Sequence, residues 1–180
     1  MASVAELDRL TPEAFEAAMA PLFEGAPAFL GRLGDARPFG SEEVLFARAR
    51  EIAHAMPESE QRELVDAHPR LGAPSGSVSR SSYVEQGYDR ETADEQAEVE
   101  RTRVAAELER LNEAYEAAFG FRYCVFVAGR PRAALLPAFR DALNADRAGE
   151  LSRALDAVID IARDRYRARA GSAPVEAGGR

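Results

Sequence analysis

The chain has 180 residues, 46% hydrophobic and 30% charged, a balance that suits one globular domain with a buried core. Its 31 acidic and 23 basic residues give a formal net charge of -8, which argues against a nucleic-acid backbone as partner but leaves room for a small anion held by local arginines. The single cysteine, Cys124, excludes an internal disulfide and a thiolate metal cluster. No apolar run approaches the roughly 18 residues of a membrane span. Met1 to Leu10 carries Glu6 and Asp8 and lacks a secretion core, so a cytoplasmic protein without membrane contact is expected.

Thr11-Pro12-Glu13 reads as an N-cap, a proline at the first helical position and an acidic first turn. Phe15, Ala18 and Met19 then share a face, and Pro21 is expected to close this helix. Leu22, Phe23, Ala26, Phe29, Leu30 and Leu33 form a second stripe, broken at Pro27 by a turn or a kink. Residues 34–40 read as a loop. Ser41 opens a helix with Glu42 and Glu43 in its first turn. Its expected apolar face is Val44, Leu45, Ala49, Ile52, Ala53 and Met56. Pro57 starts the next helix, in which Gln61, Leu64, Val65 and His68 fall near one another by helical period. Pro69 disfavours helical geometry at residue 68, so the helix should end there. Of the two histidines, His54 sits mid-helix between alanines and reads as structural or surface. His68 has two readings. It is a terminal-turn histidine stabilised by the helix dipole, or a general acid or base, since an unperturbed imidazole titrates near neutrality.

Residues 73–79 form a Gly/Pro/Ser loop without the Lys-Ser or Lys-Thr of a phosphate loop. Ser82, Glu85 and Gln86 are spaced to face one pocket from a helix. The same spacing is also that of a capping box. Thr92 to Phe119 reads as one long helix, with Asn112 breaking its apolar side to bond a neighbouring loop and Gly120 as C-cap. Phe121 to Ala128 is the one strand-like stretch. A lone strand has nothing to pair with, so it either continues as helix or runs extended with backbone groups free to meet a ligand; the extended form is the expectation. Pro131 opens a helix burying Leu135, Leu136, Phe139 and Leu143. Arg147 to Arg169 is the last long helix, with Arg165 one turn beyond its apolar seam. The expected fold is all-α: a single-domain helical bundle of about seven to nine helices over residues 1–170, a short extended segment near 121–128, and a disordered tail at 171–180.

In order, Arg37-Pro38-Phe39, Ala67-His68-Pro69-Arg70-Leu71-Gly72, Ser82-Tyr83-Val84-Glu85-Gln86, Leu111-Asn112, Tyr115, Phe119-Gly120-Phe121 and Gly129-Arg130 resemble the 2-oxo-4-hydroxy-4-carboxy-5-ureidoimidazoline (OHCU) decarboxylase family of urate degradation. The resemblance runs from about Leu10 to Arg169. Two departures stand out: Arg122-Tyr123, where the family often has Pro-Phe, and the polar Tyr88-Asp89-Arg90, where many relatives have small apolar residues. A long side chain at Arg122 leaves the shape of the pocket wall open.

The resemblance implies a cofactor-free, homodimeric enzyme that needs no metal. Its substrate is the unstable product of 5-hydroxyisourate hydrolase, a possible functional partner, and it yields (S)-allantoin. It implies His68 as the catalytic proton carrier and Glu85 as the catalytic carboxylate that holds the substrate hydroxyl. Ser82 and Gln86 would fix the ring or ureido group, with Pro69 beside them. Tyr123, Cys124, Val125, Phe126 and Val127 would offer backbone hydrogen bonds, and Arg165 would hold an anionic oxygen in its fork. Two other readings compete: a related enzyme on another ureido or carboxylated heterocycle, and a non-catalytic helical binding protein. The second explains stripes and caps equally well but not the coincidence of the polar residues.

Overall fold

In the computed structural model, residues 1–91 and 95–171 are described. Among them are nine α-helices and no strand, in line with the all-α expectation. They are α1 (Val4–Leu7), α2 (Pro12–Phe23), α3 (Pro27–Asp35), α4 (Glu42–Ala55), α5 (Glu58–Asp66), α6 (Arg80–Glu85), α7 (Glu95–Phe119), α8 (Leu136–Ala142) and α9 (Arg147–Gly171). The proposed helix start at Thr92 and residues 172–180 of the proposed tail lie outside the described residues. Gly171, expected in the tail, is instead the last residue of α9.

The N-terminal signals are those the sequence suggests. Thr11 Oγ1 accepts from the Ala14 N–H with Pro12 at N1, and Ser41 Oγ accepts from the Val44 N–H. Pro21, however, does not close α2, which runs on to Phe23. A proline forfeits one backbone hydrogen bond, and complete burial of Leu22 and Phe23 holds the final turn in place. The helix stops at Glu24, whose φ of 55° is left-handed, and Pro27 begins α3. The break at Pro27 is therefore a turn between helices. Val44 is a second correction. It is 48% exposed, because α4 presents Leu45, Phe46, Ala49 and Ala53 inward.

α9 is the hub and packs on α2, α4 and α5, while α3 packs on α2, α4 and α5. Its Ala154, Leu155, Val158, Ile159 and Ala162 are buried. A second focus is aromatic: Tyr115 meets Phe119, Phe121, Tyr123 and Phe139, and Tyr123 stacks on Phe139 with centroids 3.7 Å apart. Such contacts add about 0.5–1.5 kcal/mol each beyond the area they bury. The Tyr115 hydroxyl donates to buried Glu150 at 2.8 Å. Glu150 also binds Arg153, whose Nη1 donates to the Cys124 carbonyl at 2.8 Å. This chain of contacts pins residues 121–128 in the irregular extended form the sequence suggests. The Arg37-Pro38-Phe39 motif serves packing. Arg37 donates to the Leu7, Leu10 and Gly34 carbonyls, and the Asp8 carboxylate accepts from the Phe39 and Gly40 N–H groups. Among the described residues, no helix is long and apolar enough to cross a membrane.

Candidate active site

The end of α5, helix α6, the extended segment and the last turns of α9 enclose a cavity of about 540 Å³. All eleven residues named for the site line it: His68, Pro69, Ser82, Glu85, Gln86, Tyr123, Cys124, Val125, Phe126, Val127 and Arg165. They come from four separate stretches, so only tertiary packing brings them together.

His68 is 4% exposed. Its Nδ1 lies 3.3 Å from the Leu64 carbonyl, one turn back in α5. A carbonyl only accepts, so Nδ1 carries the proton and Nε2 keeps its lone pair. Nε2 is buried and has no partner among the described residues. An unpaired buried polar atom costs stability, and here it belongs to a residue of the cavity lining. Burial pushes the imidazole pKa down to about 4, the Arg165 guanidinium pushes the same way, and Glu24 and the Leu64 carbonyl oppose them. The expectation of a histidine titrating near neutrality is thus overturned: at pH 7 His68 is neutral. The helix-dipole reading needs a charged imidazole and fails for the same reason.

Ser82 and Glu85 are not a capping box. Ser79 caps α6, accepting from the Ser82 N–H at 3.1 Å, so Ser82 lies inside the helix and turns inward. Arg165 crosses from α9 to meet it. Its Nε and Nη2 grip Glu85 at 2.5 and 2.8 Å, Nη2 also reaches the Ser82 hydroxyl at 3.0 Å, and Nη1 donates to the Leu22 carbonyl at 3.1 Å. The fork expected for an anionic substrate oxygen therefore holds a protein carboxylate. Burial alone would lower the Arg165 pKa, but Glu85 and Glu24 outweigh it and the pKa is raised.

Glu24 is the residue sequence reasoning missed. Its Oε1 accepts from Ser79 and Ser82 at 2.7 and 2.9 Å and lies 2.9 Å from Arg165 Nη2. Burial pushes its carboxyl up, yet the Ser79 hydroxyl, Arg165 and Ser82 together hold it below the usual range. Its one sequence signal is its place between Pro21 and Gly25, where a helix ends.

Gln86 lines the cavity, but its amide is committed to the loop after His68. Oε1 accepts from the Gly72 N–H at 2.7 Å, and Nε2 donates to the Arg70 carbonyl at 3.3 Å. Arg122 does not alter the pocket wall. It turns away, and its Nη1 donates to the Asp66 and His68 carbonyls at 2.6 and 3.0 Å. It ties the segment carrying Tyr123 to the one carrying His68. Asp89 and Arg90 of the polar 88–90 stretch do line the cavity. Cys124 is buried, and burial pushes its thiol up to about 12, so it is a neutral wall residue. Arg130 Nη2 and Nε donate to the Phe126 and Val127 carbonyls. Among the described residues, no acceptor meets the backbone N–H groups of residues 123–127. No three His, Cys, Asp or Glu side chains among the described residues are grouped to share a metal ion.

The arrangement is a neutral imidazole with a bare nitrogen, a carboxylate clamped by a buried guanidinium, and a lining segment whose backbone N–H groups meet no acceptor among the described residues. It can move a proton at a bound polar ring and hold that ring by its oxygens. Comparisons with known proteins identify the family. The chain is 26% identical over 167 residues to the 2-oxo-4-hydroxy-4-carboxy-5-ureidoimidazoline decarboxylase of Haloferax volcanii, covering 93% of this chain and 95% of that one. It is 28% identical over 165 residues to the uric acid degradation bifunctional protein PucL of Bacillus subtilis, spanning 92% of this chain but 32% of that one. A crystal structure of OHCU decarboxylase in the presence of (S)-allantoin shares the fold with a TM-score of 0.67 at 19% identity, over 87% of this chain and 99% of that one. A crystal structure of (S)-allantoin synthase gives 0.63 at 18% identity, over 93% of this chain and 54% of that one. The family model for OHCU decarboxylase matches residues 8–167, nearly the whole described bundle, and the chain belongs to that family.

Proposed function

We propose that the cavity decarboxylates 2-oxo-4-hydroxy-4-carboxy-5-ureidoimidazoline to (S)-allantoin, with His68 as proton carrier and Glu85 as the carboxylate that holds the 4-hydroxyl. The observation that carries this reading is the buried, unpartnered Nε2 of His68 on the cavity wall. The substrate itself supplies the electron sink. When CO₂ leaves C4, the bonding pair moves into the adjacent C5=N unit, so no organic cofactor is needed for delocalisation. The bound substrate is an anion, and the negative charge it brings into the cavity raises the proton affinity of Nε2 without a direct ion pair to the carboxylate. His68 then enters the reaction protonated and gives that proton to one face of C5. The 4-hydroxyl proton is released as the C4 carbonyl forms, and a proton ends on the ring nitrogen. One external proton is consumed, and His68 returns neutral.

In this reading Arg165 is a positioning residue. Its grip fixes Glu85 and Ser82 on the cavity wall, and Glu24 offsets part of the downward push that the guanidinium exerts on the His68 pKa. The N–H groups of residues 123–127 take the ring and ureido oxygens, Pro69 and Gln86 shape the wall near His68, and one-faced access to C5 gives a single enantiomer. The protein acts in urate degradation, as the name of the Bacillus subtilis relative suggests for that protein. We read it as a cytoplasmic homodimer working beside a 5-hydroxyisourate hydrolase, whose unstable product it consumes. The test is to generate the substrate from urate in the presence of a chelator and follow CO₂ release and allantoin optical activity. Accelerated CO₂ release with dextrorotatory product is expected. Racemic allantoin at the spontaneous rate would refute the reading.

A further inference from the structure

The substrate proposed above is an anion, yet the charged groups on the cavity wall favour cations. Glu85, Asp89 and Asp164 face it against Arg90 and Arg165, with Glu24 just behind. Arg165 is committed to Glu85, Ser82, Glu24 and the Leu22 carbonyl. The neighbouring groove shares Arg90 with the cavity and holds Arg101, Arg130 and Arg132, of which Arg101 pairs with Glu98. Arg130 donates to the Phe126 and Val127 carbonyls. Arg132 pairs with Glu91 and lies over the Tyr88 ring, 4.1 Å from its centroid. Among the described residues, Arg90 has only a 3.5 Å contact to the Gly129 carbonyl and a 3.7 Å approach to Asp89, with its side chain 55% exposed. Such a solvated neighbour pair holds a guanidinium weakly.

Gly87 has φ +77°, and a Cβ there would come within 3.2 Å of Arg90 Nη2. Arg90 thus folds back over residue 87, and with Gln86 it borders both the cavity and the neighbouring groove.

We propose that Arg90 is the specificity residue for the leaving carboxylate: it captures the substrate's C4 carboxylate at the cavity mouth. This rests on the function proposed above. The location matters chemically. A carboxylate locked in a buried ion pair would be stabilised in the ground state and lost on forming neutral CO₂, which raises the barrier. An exposed guanidinium captures the anion without that cost, because solvent screens the pair. Arg90 therefore acts on capture and not on the chemical step.

The test compares parent, Arg90→Ala, Arg90→Lys and Asp89→Asn. With substrate generated in situ, Arg90→Ala should raise KM about three- to ten-fold with kcat unchanged or higher, Arg90→Lys should recover part of the loss, and Asp89→Asn should lower KM. The parent's KM should rise with salt and the Arg90→Ala value should stay nearly flat. Unchanged KM in Arg90→Ala, or a fall in kcat alone, overturns the proposal. A separate arm needs no turnover. Calorimetry with hydantoin-5-acetate, a carboxylated ring, and with neutral (S)-allantoin should show Arg90→Ala losing affinity for the first only. Equal affinity of both proteins for hydantoin-5-acetate, absence of binding included, overturns the proposal. An inactive parent that still shows the charge-selective loss would refute the decarboxylase reading and leave Arg90 as an anion-capturing residue.

Discussion

Lowering the pH from 7.5 to 5 should cost the fold about 2 kcal/mol through His68 alone. In the unfolded chain the imidazole titrates near its ordinary 6.5, and in the fold near 4. A depressed pKa means the unfolded state binds more protons throughout that window. The stabilisation is fully present above pH 6.5 and is lost as the pH falls toward 4. At pH 5 the unfolded imidazole is almost wholly protonated and the native one about one-tenth so. The free-energy difference then corresponds to roughly 1.5 pH units, at about 1.4 kcal/mol each. Well below pH 4 it levels off at about 3.5 kcal/mol. Urea unfolding of the parent and of His68→Asn, which cannot titrate, isolates the effect, because groups that do not interact with His68 cancel in the difference. Their stability difference should shift by about 2 kcal/mol between pH 7.5 and 5, near 1 M in urea midpoint. Parallel pH profiles would refute the buried, neutral imidazole.

Glu85→Gln should lower kcat/KM at least about ten-fold by misorienting the bound hydroxyl, measured on freshly generated substrate; parental activity in a merely destabilised protein would point to a packing role. Arg165→Met leaves Glu24 and Glu85 facing each other without their shared cation, so the fold should lose about 3–5 kcal/mol in denaturant unfolding. Gly72 sits at φ +81° with Leu108 Cδ1 2.8 Å from where a Cβ would be. Gly72→Ala should therefore cost about 1–3 kcal/mol, and adding Leu108→Ala should recover its steric part, giving a non-additive cycle.

Local signals were legible where local chemistry decides. Thr11 and Ser41 cap helices because their side chains serve nearby N–H groups whatever the tertiary packing. Asn112 could be read as a loop anchor because an amide in an apolar stripe needs partners, and its Nδ2 indeed donates to the Leu71 and Leu108 carbonyls. The readings that failed were overridden at longer range. Pro21 stays helical because Leu22 and Phe23 are drawn into the core. Val44 faces out because α4 is oriented by α3 and α9. Glu24 was invisible because its partners lie 55 and 141 residues further on, at Ser79 and Arg165. Periodicity offered Ser82 and Glu85 as either cap or pocket, and only the placement of Ser79 separates the two. The pKa of His68 could not be read at all. It follows from burial and from a guanidinium nearly a hundred residues away in the chain.

The central claim is that Nε2 of His68 carries the proton that reaches C5. It is tested most directly by turnover of folded His68→Asn beside the parent, with His54→Asn as control. His54 pairs with Asp156 on the outside of the bundle and lies off the cavity wall. After subtraction of the spontaneous rate, His68→Asn should fall by about 10²–10⁴ and yield racemic allantoin, while His54→Asn stays at the parental rate. Parental turnover with a single enantiomer from His68→Asn would contradict the account.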